Sequence, residues 1–202
     1  MIDKRRPEQT PGPANLPADP NDDFTIPAAL YCDALLFLRE GIETLQRQCD
    51  ASTERYLRAS LYSSFAALEA QLNQIAYAHA RSHAATIDKL TLDVLEERES
   101  VLDEKGNIVR KEKYYPFESR FSFLVAFLSG KEFDRSGSLW QGLRAAKGLR
   151  DTWTHPKPPM NSGSLTVSLT RAALMSVRET LVRVSDLMGV EPPLWLLTNE
   201  IP

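Results

Sequence analysis

From Pro27 onward the apolar residues recur at steps of three and four, and that period selects amphipathic helices. Leu30, Ala34, Phe37, Leu38, Gly41, Ile42 and Leu45 form one stripe, on a helix opened by Pro27, a residue suited to a first helical turn. Asp50 to Thr53 interrupt it, and Ser52 or Thr53 is expected to cap the second helix. That helix is predicted over 54–80, with Leu57, Leu61, Phe65, Leu68, Leu72 and Ile75 facing the core. Glu69 and Asn73 lie at the border of that stripe, one turn apart. Further helices are predicted at 86–98, at 117–130 ended by Gly130, and at 138–155 ended before Pro156. A last one over 170–189 turns Leu174, Val177, Leu181, Val184 and Met188 inward and closes at Gly189. Residues 99–116 break the period: strand-like apolar pairs flank Lys105-Gly106, which predicts a small hairpin or a loop excursion. The economical architecture is all-α, an up-and-down bundle of four to five helices carrying that insert.

Composition and flanking segments bound the rest. The chain has 202 residues, enough for one domain with tails. Pro7, Pro11, Pro13, Pro17 and Pro20 make 1–25 an extended or disordered arm, because proline forbids helix and removes backbone donors. The helical domain is expected over 26–190. The C-terminal tail, 191–202, has an apolar knot from Leu194 to Leu197 that can dock on the body or on a partner. A net charge of −3 excludes a broadly basic surface that binds nucleic acid by counterion release alone, and leaves room for a local basic patch. The densest apolar run, FLVAFL at 123–128, is too short to span a bilayer, and the basic N-terminus is followed by no apolar segment. Cys32 and Cys49 form no CxxC pair, so neither a zinc site nor a thioredoxin-like motif can be built on them. Cys32 is expected as a small buried hydrophobe, and a reduced, cytoplasmic location follows. Neither GxxxxGK nor GxGxxG occurs, and no cofactor is expected.

The residues that carry chemistry concentrate in 139–157. Arg144, Lys147 and Arg150 are spaced by three and form a basic stripe, while Leu139, Leu143, Ala146 and Trp153 face the core. Asp151 and His155 are four apart, so the carboxylate can fix the tautomer of the imidazole and favour its charged form. Thr154 adds a hydroxyl, and Lys157 lies just past the turn. A permanent cation beside an orientable histidine suits phosphodiester chemistry. The histidine exchanges a proton with the attacking or leaving oxygen, and the arginine holds the phosphate. General acid and general base together need two such groups, which a two-fold dimer would supply. The plainer reading is a helix C-terminus where histidine and basic residues meet the negative end of the dipole. Elsewhere, His79 and His83 have metal-sharing spacing but no evident third ligand, and a structural role is expected. Trp140 and Trp153 could stack a base but are expected in the core.

The stretch LRDTWTHPKP, 149–158, resembles the signature of the HEPN superfamily, an arginine followed after four to six residues by a histidine at the end of a late helix. Here Arg150 and His155 are separated by four residues, and Asp151 fills the polar position after the arginine. SSFAALEAQLNQIAYAHA, 63–80, is similar to the helix that brings an acidic or amide residue toward that motif, which would be Glu69 or Asn73. The resemblance spans roughly 27–190 in helix order. It implies a helical, metal-independent endoribonuclease of the toxin or defence type, working at a composite site across a homodimer. Arg150 and His155 would be catalytic, supported by Asp151, Thr154, Glu69 and Asn73. Arg144, Lys147 and Lys157 would guide RNA. An antitoxin or nucleotidyltransferase partner protein is a further implication. Some members keep the fold without the activity, so an inactive adaptor or antitoxin-type dimer is the alternative.

Overall fold

A computed structural model describes residues 25–154 and 165–202. Helix α1 (Ile26–Gln46) begins where Thr25 turns its hydroxyl to accept the backbone N–H of Ala28, with Pro27 in the first turn. Arg47 to Cys49 reverse the chain, Gln48 taking a φ of +58°, and α2 (Asp50–His83) runs back along α1. Neither Ser52 nor Thr53 caps α2. Its N-cap is Cys49, and Thr53 instead donates to Cys49 O and Thr44 Oγ1, so the helix starts a turn earlier than the polar run suggested. Ser60 Oγ donates to Ala34 O at 2.7 Å, pinning the two helices side by side.

Helix α3 (Lys89–Leu95) has seven residues, because Glu96 and Glu97 leave the helical region and strand β1 starts at Arg98. The expected insert is a hairpin. Strand β1 (Arg98–Leu102) pairs antiparallel with β2 (Ile108–Glu112), Ser100 opposite Arg110, around a turn held by Asp103 and by Gly106 at φ +79°. Arg110 anchors it to the body through Asp93 at 2.7 Å and Glu96 at 2.9 Å. Helix α4 (Phe117–Ser129) ends on left-handed Gly130, as its sequence predicts. Helices α5 (Ser138–Thr154) and α6 (Val167–Met188) complete the body, α6 touching α1, α2, α4 and α5.

Tyr31, Leu38, Leu61, Phe65, Phe121, Trp140 and Leu174 are almost wholly excluded from solvent and form one core. The structure is mostly helical, with seven helices and one two-stranded sheet among the described residues, more elements than the four or five helices expected. Two short helices raise the number, α3 and α7 (Leu194–Thr198), and α7 lies within the segment expected as a tail. Trp195 lies 5.2 Å from the ring of Tyr31 and Leu196 is buried, so the apolar knot docks on the body. Three stripes shift. Leu45 is exposed and Thr44 buried; Ala76 replaces Ile75, because α2 turns its buried face as its neighbours change; Leu187 is deeper than Met188. Cys32, expected inside, is exposed, since Tyr31 takes the inward position of that turn. No described helix is long and apolar enough to cross a membrane. The proline-rich arm, up to residue 24, lies outside the described residues.

Candidate functional site

Helix α5 is amphipathic. Trp140, Leu143 and Ala146 are buried under it, and the same periodicity carries Arg150 to its rim. There α5 crosses the middle of α2, and residues 81 positions apart meet. Arg150 Nη1 donates to Glu69 Oε1 at 2.8 Å. Its Nε and Nη2 donate to Asp151 Oδ1 at 3.1 and 2.9 Å. Lys147 Nζ donates to Asp151 Oδ2 at 2.7 Å. The guanidinium carbon stands 4.9 Å from the centre of the Phe65 ring, a cation–π distance. Glu69, Asp151, Lys147 and Arg150 thus form one network with two charges of each sign.

Burial works against the charge on Arg150, but its bonds to Asp151 and Glu69 outweigh it and hold its pKa above the ordinary arginine value. Burial likewise opposes the Asp151 carboxylate, and the hydrogen bonds from Lys147 and Arg150 prevail, so its pKa lies below the usual value. Arg150 therefore presents a fixed, permanently charged fork. Three of its five N–H groups are used in this network, leaving two for another oxygen. The network opens into a groove of about 470 Å³ walled by Tyr62, Phe65 and Ala66 from α2 and by Trp153 and Thr154 from α5.

Of the expected site residues, Glu69, Arg150 and Asp151 come together and Thr154 lines the same groove. His155 and Lys157 lie outside the described residues, and so does the expected pairing of Asp151 with His155. Asn73 goes elsewhere: it accepts from Arg120 Nη1, on α4. The basic stripe is not a row of free cations, because Arg144 faces Glu118 at 3.6 Å and Lys147 holds Asp151. Thr154 donates back to Arg150 O at 2.9 Å. Trp140 is core, whereas Trp153 is half-buried on the groove wall with Arg58 over its ring at 5.6 Å.

Sequence reasoning missed Arg120. Its signal was an arginine inside the apolar run FESRFSFLVAFL, on a helix whose other inward positions are Phe121, Leu124 and Val125. His79 and His83 stack at 4.3 Å, and no group of three or more metal-ligating side chains gathers among the described residues. Compared with protein-family profiles, with curated proteins and with solved structures, the chain matches none.

Proposed function

We propose that this chain is a metal-independent endoribonuclease of HEPN type, a toxin or defence effector that cuts RNA at a composite site across a homodimer. The observation that carries this reading is the bridge from Glu69 on α2 to Arg150 on α5, at the mouth of an open groove. A cation held between two carboxylates and a phenyl ring keeps its orientation while a substrate arrives. Its two remaining N–H groups grip two phosphate oxygens and stabilise the charge that builds on them in the transition state. In this reading one histidine takes the proton of the 2′-hydroxyl, whose oxygen attacks phosphorus. The second, from the other chain, returns a proton to the leaving 5′-oxygen. The products are a 2′,3′-cyclic phosphate and a 5′-hydroxyl. His155 of each chain fills these roles, and the cytoplasm is the expected site of action.

The test is RNA cleavage in excess EDTA by wild type, Arg150→Ala and His155→Ala. Wild type is expected to cut, and each variant to lose at least about a hundredfold in rate. Absent EDTA-resistant cutting, or equal rates in all three, removes the reading.

One observation favours a second reading, an inactive helical module that binds another protein. Every cation of the expected RNA-guiding stripe on α5 that the structure describes already faces a carboxylate. In that case salt would barely affect RNA binding, because few counterions would be released.

A further inference from the structure

A second cavity, of about 220 Å³, lies at the foot of the hairpin and shares Glu69 with the Arg150 groove. Four chain segments build it, and α2 supplies Glu69, Leu72 and Asn73. Helix α4 supplies Phe117 and Arg120. The junction of α3 and β1 supplies Glu97. The chain leaving β2 supplies Tyr114 and Tyr115. The hairpin is thereby more than an excursion, since its two feet carry one wall of the cavity, tied together by Lys113 N–H donating to Glu97 O at 2.8 Å.

The floor is Arg120, only 8% exposed. Its Nη1 donates to Asn73 and its Nη2 to Leu95 O, but its buried Nε has no hydrogen-bond partner and faces Glu97 Oε1 at 3.5 Å. A buried donor without a partner is uncommon and costly. Glu97 itself holds a φ of +50°, a left-handed conformation that a residue other than glycine seldom adopts, and there its carboxylate stands beside Arg120. Tyr114 is 81% exposed, an aromatic face with little packed on it. The charges decide what such a cavity can take. Glu97 faces Arg120 and Glu69 is paired with Arg150, so neither guanidinium is left uncompensated for a phosphate here, and the cavity suits a neutral, flat guest rich in donors.

We propose that this cavity receives a guanine base of an RNA strand whose adjoining phosphate lies at Arg150. The site rests on the nuclease reading for its strand path, Glu69 lining both cavities. The Watson–Crick edge of guanine presents N1–H and the N2 amino group as neighbouring donors, with O6 as an acceptor beside them. The Glu97 carboxylate accepts the two donors, and the Arg120 guanidinium turns a donor to O6. Adenine would bring its N1 lone pair against the same carboxylate and lose both bonds. The Tyr114 ring covers the face of the base. A volume of about 220 Å³ suits one base and falls below the size usual for larger organic ligands.

Calorimetric titration of the full chain with guanosine 5′-monophosphate and with adenosine 5′-monophosphate tests the assignment. The guanine nucleotide is expected to bind about tenfold more tightly. Glu97→Gln is expected to erase that preference, with an unchanged thermal melt as the control for folding. Tyr114→Ala is expected to weaken both ligands about tenfold while the ratio holds. Equal affinities, no binding of either, or a Glu97→Gln protein that keeps the preference would overturn the proposal. Mononucleotide binding needs no cleavage, so the two readings fail separately. Guanine preference without EDTA-resistant cutting would leave the base cavity standing. Arg150-dependent cutting without guanine preference would leave only the nuclease.

Discussion

Arg150 is held at the groove by two carboxylates and an aromatic ring, and the value of that arrangement lies in orientation. Glu69 is nearly half exposed, so its bridge adds at most about 1 kcal/mol to stability. Asp151 has a sharper signature, because burial raises its pKa while its contacts with Lys147 and Arg150 lower it further. The folded-state value is depressed, so the folded chain binds this proton less readily than the unfolded one. The contribution is then complete above the unfolded pKa of about 3.9 and is lost as pH falls through the folded value. Asp151→Asn is expected to melt below wild type near neutrality, the gap closing as pH falls below the unfolded carboxylate value of about 3.9. Melting curves from neutral pH down past that value check it, and a gap of constant size would contradict the pairing.

Among the elements, α1 and α2 pack tightly at Gly41. A Cβ added at Gly41 would stand 2.8 Å from Leu57 Cδ2 and 3.3 Å from its Cγ, and Leu57 is itself buried. Gly148 on α5 is the opposite case, exposed and with nothing within 4 Å of an added Cβ. Gly41→Ala is therefore expected to destabilise by about 1–2 kcal/mol, overpacking exceeding the gain in helix propensity. Gly148→Ala is expected to stabilise by about 0.5–1 kcal/mol. Denaturant midpoints of the two variants should move in opposite directions. The apolar pattern marks both glycines simply as helical, and only the proximity of a second helix separates them.

At the scale of the whole molecule, the chain closes its core with its last residues. Trp195 packs on Tyr31, Leu196 is buried, and Arg171 Nε donates to Pro202 O at 2.6 Å. The Trp195–Tyr31 contact joins the two ends of the described chain, so α7 acts as a clasp on α1, while Pro202 beyond it ties back to α6. Trp195→Ala is expected to cost about 3 kcal/mol, the cost of emptying a large aromatic site. Chemical denaturation should show this as a lower midpoint with a single transition. A loss below about 0.5 kcal/mol would mean the clasp contributes little.

Local rules carried far along this chain. Period, proline and glycine located the five long helices to within a turn or so at their ends, and the Lys105-Gly106 hairpin was legible because turn chemistry is encoded in adjacent residues. Arg150 and Glu69 were also singled out from sequence, one by its place on a late helix and the other by its place at a stripe border. What periodicity could not supply was partnership, which depends on how elements cross in space. The choice of Arg120 by Asn73, the closing of Glu118 on Arg144, and the burial of Tyr31 in place of Cys32 each depend on a neighbour far along the chain. The sequence determined which faces were apolar and where helices ended, since both are set by residues within a turn or two. Lys147 and Asp151 meet at a local spacing of four, but tertiary packing alone decided which charges met across elements, such as Glu69 with Arg150 and Glu118 with Arg144, because those pairs depend on distances between helices that local pattern does not contain.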